Sequence, residues 1–507
     1  MMRIRALVLA AAAMPLAAEI RLPNVIGDHM VVQSGVPARI FGTGSGGESV
    51  TVQFNGQTAT TVAGADGKWQ VWLAPMQANG NSADMTIAGS NTITVHDVLV
   101  GEVWVGSGQS NMQWTVQNSN NSDTEALNAN YPKIRLFRVP LKTMPMPQDD
   151  VDAKWEVCSP ETIRPFSAVL YFFGRNLHKQ KNVPFGLIQT AYGGTPAQAW
   201  TSKEALEADP ALMPILGEWA KVLDNYPAAM DRYQKLLSEW EAKTRGARPS
   251  GAQAPRKPAM PMGPGHSHTP SGLYNAMLHP LLKYTIKGAL WYQGESNASK
   301  IQAPLYRRLF ETMIQDWRAR WGVGEFPFLF VQLANFAKAG SPDDWVIVQE
   351  AQAKTLELRR TGMAVITDIG NPDDIHPRNK QDVSARLALL ARHIAYGENI
   401  PYTSATPRQV TRETATTGDR GVKIRVWFDH AEGLKTRDGG PVKGFEVSGA
   451  DGAFAAAEGR VEGASVVLAS PSVAMPVQVR YAWASNPDAN LVNGIGLPTS
   501  VFRGSIE

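Results

Sequence analysis

One cysteine, Cys158, stands in the whole 507-residue chain. That excludes an internal disulfide framework and any zinc site built from several thiolates. Cys158 reads instead as a small buried apolar residue. Charge of one sign is also scarce. The formal net charge is +3 and is not gathered into a basic block, so a nucleic acid is not the expected partner. Long apolar runs are missing as well. No segment approaches the roughly 20 residues that span a bilayer, so stable membrane insertion is not expected. What is present is ordinary for a globular protein: 43% hydrophobic and 19% charged residues, in a chain too long for one hydrophobic core. Two or three domains are expected; oligomeric state is not legible.

The first residues read as an address. Arg3 and Arg5 precede the apolar run Ala6–Ala13, then Met14, Pro15 and small residues ending at Ala17-Ala18. This is the layout of a signal peptide over residues 1–18, cleaved before Glu19, although Leu16 is bulky for its place. The mature protein is then expected to be exported, to a periplasm or the extracellular space.

Three textures follow. Residues 19–100 are short alternating strands with turn punctuation, including the hairpin signals Asn55-Gly56 and Asp66-Gly67, which predict a small β-sandwich module. From 101 to 400 apolar runs alternate with helical stretches. The runs "EVWVGS", "PFGLIQT", "KGALWYQ", "FPFLFVQL" and "MAVITDI" suit a parallel sheet covered on both faces. Helices are predicted over Phe166–Lys179, Leu305–Trp321 and Lys380–Tyr396, by apolar spacing and by Gly397 as a stop. An insertion at about 202–272 is expected to hold a helical hairpin broken near Pro227, then a mobile Pro/Gly-rich stretch, Thr244–Gly272. Residues 401–507 return to β.

In an open parallel sheet, ligands collect beyond the carboxyl ends of the strands. Four strand ends carry polar or glycine-rich segments: "GSGQSN" (106–111), "TAYGGTPAQAW" (190–200), "YQGESNA" (292–298) and "DIGNPDDIHP" (368–377). Ser110 alone is a turn residue or helix cap, but Gly108 before it gives room for a close approach, and Asn111 follows. His376 is held extended by Pro377 at a strand-to-helix connection. Asp373 and Asp374 are near enough in sequence to orient its ring. Gly193-Gly194 supplies backbone N–H groups without a Cβ in the way, and Gln293 and Glu295 end an apolar strand. Together these are the parts of a serine hydrolase: nucleophile, base, acid and oxyanion donors. The Gly-x-Ser-x-Gly elbow of the α/β-hydrolases is absent.

"GQSNM" (108–112), "YQGESNA" (292–298) and "DIHPRNKQ" (374–381) resemble the sialate O-acetylesterase family, a branch of the SGNH hydrolases. "LPNVIGDHMVVQ" (22–33), "PSGLYNAMLHPL" (270–281) and "VRYAWASNPDANLVNGIGLPTSVFR" (479–503) extend the likeness along nearly the whole mature chain. The resemblance implies a three-layer α/β/α, flavodoxin-like core flanked by two β-modules. It implies Ser110 as nucleophile, Gly193 or Gly194 as oxyanion donor, and His376 as base. Where the commoner SGNH pattern has an oxyanion asparagine, Gln293 is the candidate here, with Asn297 behind it. The acid stays open between Asp373 and Glu295, with Asp374 or a backbone carbonyl as alternatives.

The expected activity is hydrolysis of acetyl esters on sugars through an acetyl-enzyme, with no cofactor and no metal. The partner is an O-acetylated carbohydrate, either a sialic acid or another glycan such as xylan. Two rivals remain. One is a non-catalytic glycan-binding protein using Trp114, Trp200 and Trp291 as platforms. The other is a glycosidase pairing Glu295 with Asp373 or Asp374, which leaves Ser110 unexplained.

Overall fold

Thr92–Gly108 is a single 17-residue strand whose last eleven residues are all buried. Its first half belongs to the N-terminal β-region and its second half is the middle of a parallel sheet. In the computed structural model, which describes residues 19–244, 256–413 and 422–507, this strand organises everything around it. The stretch 1–18, expected as a signal peptide, and part of the Pro/Gly-rich segment lie outside the described residues.

The parallel sheet runs in the order Thr361–Ala364, Phe328–Val331, Gly288–Tyr292, Thr92–Gly108, Phe185–Ala191, Tyr131–Arg138. Trp155–Cys158 adds an antiparallel edge. The alternation of strand side chains sends Trp104, Leu187, Leu290 and Leu329 to one face and Val105, Ile188, Trp291 and Phe330 to the other. Helices Ala168–Lys181 and Lys380–Ile394 cover the first face. Tyr306–Trp321 and Pro342–Lys354 cover the second. This is the three-layer α/β/α core expected from apolar runs that never alternate with polar residues.

The second face shares its apolar core with the N-terminal β-region. There Ser49–Phe54, Gln57–Val62 and Asn79–Ala88 join the first half of the long strand, while Ala38–Thr43 pairs with Lys68–Leu73. Asn55-Gly56 forms the predicted hairpin with positive φ at both residues, 47° and 75°. Asp66-Gly67 differs from expectation. It turns the chain between Gln57–Val62 and Lys68–Leu73, which pair with different partners, so it links two sheets rather than closing a hairpin.

The predicted hairpin of helices is instead one 32-residue helix, Met213–Thr244, with Pro227 inside it. A proline removes one N–H and crowds the previous turn, but Leu, Ala, Glu and Lys on both sides sustain the helix through it. The return segment lies back against it: Lys257 sits over Trp240 at 6.0 Å, and a side chain at Gly263 would strike the Tyr226 ring.

The C-terminal region holds two four-stranded antiparallel sheets around Val426, Phe445, Tyr481 and Phe502. A bidentate ion pair from Arg503 to Glu350, at 2.9 and 3.0 Å, ties it to the core. Among the described residues no helix is long and apolar enough to cross a membrane.

Candidate active site

The long strand ends at Gly108, with φ at +135°. A Cβ there would lie 2.2 Å from the Tyr292 carbonyl oxygen, so only glycine lets the neighbouring strand end come this close. Gln109 N–H donates to that same carbonyl at 3.0 Å, and the Gln109 side-chain oxygen accepts from Gly294 and Ser296 N–H at 3.3 and 3.2 Å. Ser110 then opens the short helix Ser110–Gln113. Its position is thus set by backbone contacts between two adjacent strand ends.

His376 arrives from the far end of the sheet. Its Nε2 lies 2.9 Å from Ser110 Oγ; a neutral ring with its proton on Nδ1 accepts the serine hydroxyl proton at Nε2. The Trp114 indole stacks on the imidazole, centroids 4.9 Å and planes 14° apart. Asp374 accepts the His376 backbone N–H at 2.9 Å, and its Oδ1 lies 3.9 Å from Nδ1, beyond hydrogen-bond reach. Asp373, one of the two expected acids, points elsewhere. Its side chain is 77% exposed and pairs with Lys338 at 3.0 Å. Burial holds the His376 pKa below the usual histidine value, the Lys380 charge lowers it further, and Asp374 opposes both.

The glycine turn is stitched to the serine segment. Tyr192 N–H donates to the Gly108 carbonyl at 3.1 Å, and Gly193 N–H donates to Gln113 Oε1 at 2.7 Å. The Gly193 amide is therefore occupied. Gly194, with φ at +71°, accepts from His268 Nε2–H at 2.6 Å through its carbonyl. His268 brings the end of the Pro/Gly-rich insertion to this turn.

Gln293 and Asn297, expected as oxyanion side chains, are fully buried and engaged with one another. Gln293 Nε2 donates to Asn297 Oδ1 at 2.6 Å and to the Thr195 carbonyl at 3.3 Å, and its Oε1 accepts from Tyr306 at 2.9 Å. Asn297 Nδ2 donates to Gln198 and Gln302, and its Oδ1 accepts Ala197 N–H. These amides hold the Thr195–Trp200 segment to the sheet; their donors are spent there.

Glu295, the second expected acid, makes no hydrogen bond to the imidazole. Its Oε1 accepts from Asn111 Nδ2 at 2.7 Å, and its other oxygen is buried without a partner. Burial raises its pKa. Asn111 also donates to the Ile375 carbonyl at 3.0 Å, and its Oδ1 accepts from buried Lys380 Nζ at 2.5 Å. Among the described residues no group of three or more His, Cys, Asp and Glu is arranged to hold a metal ion.

A nucleophile–base pair on an α/β/α sheet is a general arrangement, and the comparisons narrow it. The family described as carbohydrate esterase, sialic acid-specific acetylesterase, matches residues 100–244 and 266–391. The chain belongs to this family. The esterase is 33% identical over 470 residues to the sialate O-acetylesterase of Rattus norvegicus, spanning 84% of this chain and 82% of that protein. It is 33% identical over 433 residues to that of Homo sapiens, spanning 77% and 74%. Its fold is similar to that of a carbohydrate acetylesterase from Xanthomonas citri, with TM-score 0.79 and 35% identity over 96% and 99% of the two chains. It is a carbohydrate O-acetylesterase, hence a carboxylic ester hydrolase.

The sequence reading missed Gln113 and Lys380 and gave Trp114 a different role, as a sugar platform. Gln113 and Trp114 directly follow the quoted "GQSNM", but their partners Gly193 and His376 are remote in the chain. Lys380 looks like a solvated charge opening a helix. Trp200 and Trp291, considered as sugar platforms, are fully buried, so the binding-protein rival loses two of its three surfaces.

Proposed function

We propose that the esterase removes O-acetyl groups from sialic acid residues of glycans, with Ser110 as nucleophile and His376 as general base. The 2.9 Å contact between Ser110 Oγ and His376 Nε2 carries this reading. A neutral imidazole is needed to accept the serine proton, and the burial that lowers the His376 pKa favours that form near pH 7.

Ser110 Oγ attacks the acetyl carbonyl carbon as its proton passes to His376 Nε2. The tetrahedral oxyanion is received by the Ser110 N–H, which as the first residue of a helix has no intrahelical acceptor, together with the Gly194 N–H. Collapse expels the sugar oxygen, which takes the proton from His376, and leaves acetyl-Ser110. Water then gives its proton to His376 and attacks the acetyl group. The second collapse releases acetic acid, ionised in water, and restores the serine hydroxyl.

A wider substrate range is the second reading. It is favoured by the similarity along almost the full chain to a protein described only as a carbohydrate acetylesterase. Export through residues 1–18 belongs to the same proposal, since acetylated glycans lie outside the cytoplasm; fractionation of cells expressing the full chain tests it.

The decisive experiment measures acetate release from O-acetylated sialosides, acetylated xylo-oligosaccharides and acetylated pectin, for wild type and Ser110→Ala. Wild-type release from the sialosides with an inert alanine variant is the expected result. Full activity of Ser110→Ala overturns the serine mechanism, and release from xylo-oligosaccharides alone overturns the sialoside reading.

A further inference from the structure

Lys380 is fully buried, and it sits at the first position of helix Lys380–Ile394. Both circumstances disfavour a cation: burial strips its water, and the positive end of the helix dipole repels it. A lysine serving only as packing would be replaced by an apolar residue at less cost. The side chain does have a defined task. Its Nζ donates to Asn111 Oδ1 at 2.5 Å, with the Trp114 and Tyr292 rings 5.9 and 5.2 Å away.

Asn111 is the hinge of the arrangement. Its oxygen faces the ammonium, so its amide nitrogen faces the other way, toward Glu295 Oε1 at 2.7 Å and the Ile375 carbonyl at 3.0 Å. Asn111 follows Ser110 in the chain, and Ile375 precedes His376. One amide therefore clips the nucleophile's turn to the base's loop. The ammonium on one side and the carboxylate on the other dictate which way the amide is turned, because only one orientation satisfies both.

We propose that Lys380, acting through Asn111, is a positioning residue for the Ser110–His376 pair, and that its ammonium, one amide away from the His376 loop, bears on the imidazole. This rests on the Ser110–His376 mechanism given above. The groups facing the imidazole are Ser110 and Trp114 from the serine segment and Asp374 from its own loop; Lys380, from the following helix, acts on it by charge from its place against Asn111 and the Trp114 ring. Asp373 is turned out to Lys338, and Glu295 lies behind Asn111. Asp374 and Lys380 act on the ring in opposite directions. Burial brings the Lys380 pKa down to about 7, so at the lower pH where an imidazole of depressed pKa titrates, the lysine carries its charge.

The test compares wild type, Ser110→Ala, Lys380→Met and Lys380→Gln with 4-methylumbelliferyl acetate, recording kcat and KM from pH 4.5 to 8. Lys380→Met loses both donor and charge. It is expected to lower kcat by about 100-fold with little change in KM, and to move the acid limb of kcat/KM upward by roughly 0.5 to 1 unit. Lys380→Gln keeps a donor for Asn111 but no charge. It is expected to recover much of kcat while keeping the displaced limb. A purely structural lysine would lower Tm and leave the limb where it is, which overturns the proposal. Should neither variant fold, histidine-selective 15N NMR of wild type decides: a second inflection of the His376 ring signals near pH 7, where Lys380 loses its charge, supports the proposal, and ring signals that follow a single titration overturn it. Failure of the serine mechanism itself reads out separately, as retained activity in Ser110→Ala.

Discussion

The Trp114 indole lies nearly parallel to the His376 imidazole, 4.9 Å between centroids and 14° between planes. With Asp374 Oδ1 3.9 Å from Nδ1, this stack, rather than an acid, sets the plane of the ring. Trp114→Ala is expected to lower kcat by about 10- to 100-fold, because the imidazole then samples orientations that miss Ser110. Trp114→Phe keeps an aromatic face and is expected to stay within about fivefold of wild type. Steady-state kinetics of both variants check this. Equal losses would mean that the ring is held by something else.

Asp373 and Asp374 should behave differently. Asp373 is exposed and paired with Lys338, and an exposed pair of this kind contributes about 0 to 1 kcal/mol. Asp373→Asn is therefore expected to leave kcat/KM within about twofold of wild type. Asp374→Asn removes a nearby charge that favours the imidazolium, so the acid limb should move to lower pH. The two pH profiles, measured side by side, separate the residues.

The wild-type acid limb itself has a defined sign. Burial and Lys380 lower the His376 pKa, so the ring is neutral, and able to accept the serine proton, above a pKa lying below the ordinary histidine value. Activity should be fully present near pH 7 and fall only as pH drops through that lowered value. A limb centred above 6.5 would contradict the described surroundings of the ring.

Gly108→Ala tests the strand exit. The substitution forces an L side chain to φ +135° and sets its Cβ 2.2 Å from the Tyr292 carbonyl oxygen. A cost of roughly 3 kcal/mol or more is expected, seen as a lower Tm together with lost activity, because Ser110 moves with the turn. A variant as stable and active as wild type would show that the two strand ends separate easily.

The core was legible in the sequence for a simple reason. Strands such as Phe185–Ala191 and Gly288–Tyr292 are buried at every residue, and that makes an uninterrupted apolar run in the text. Ser110 and His376, which the structure brings within 2.9 Å of each other, stood out in the sequence because Gly108 leaves room beside the one and Pro377 restricts the backbone of the other. What escaped depends on contacts between distant segments. Nothing in "NMQW" says that Gln113 will take up the Gly193 amide, or that Trp114 will lie on a histidine from another loop. Gln293 and Asn297 have the right side-chain chemistry for an oxyanion, and only the structure reveals that Thr195, Ala197, Gln198 and Gln302 use up their hydrogen bonds. Pro227 misled in the opposite sense, since a local breaker was outweighed by the helix formers around it.

The strand Thr92–Gly108 has a consequence for anyone who would take the protein apart. A cut at residue 100, where the text changes from β to α/β, severs a continuous strand and exposes apolar surface that the two regions bury together. The amino-terminal region is thus not a detachable accessory to the esterase. It anchors the rail along which the nucleophile is delivered. Grafting or trimming it should disturb turnover and folding in the same step.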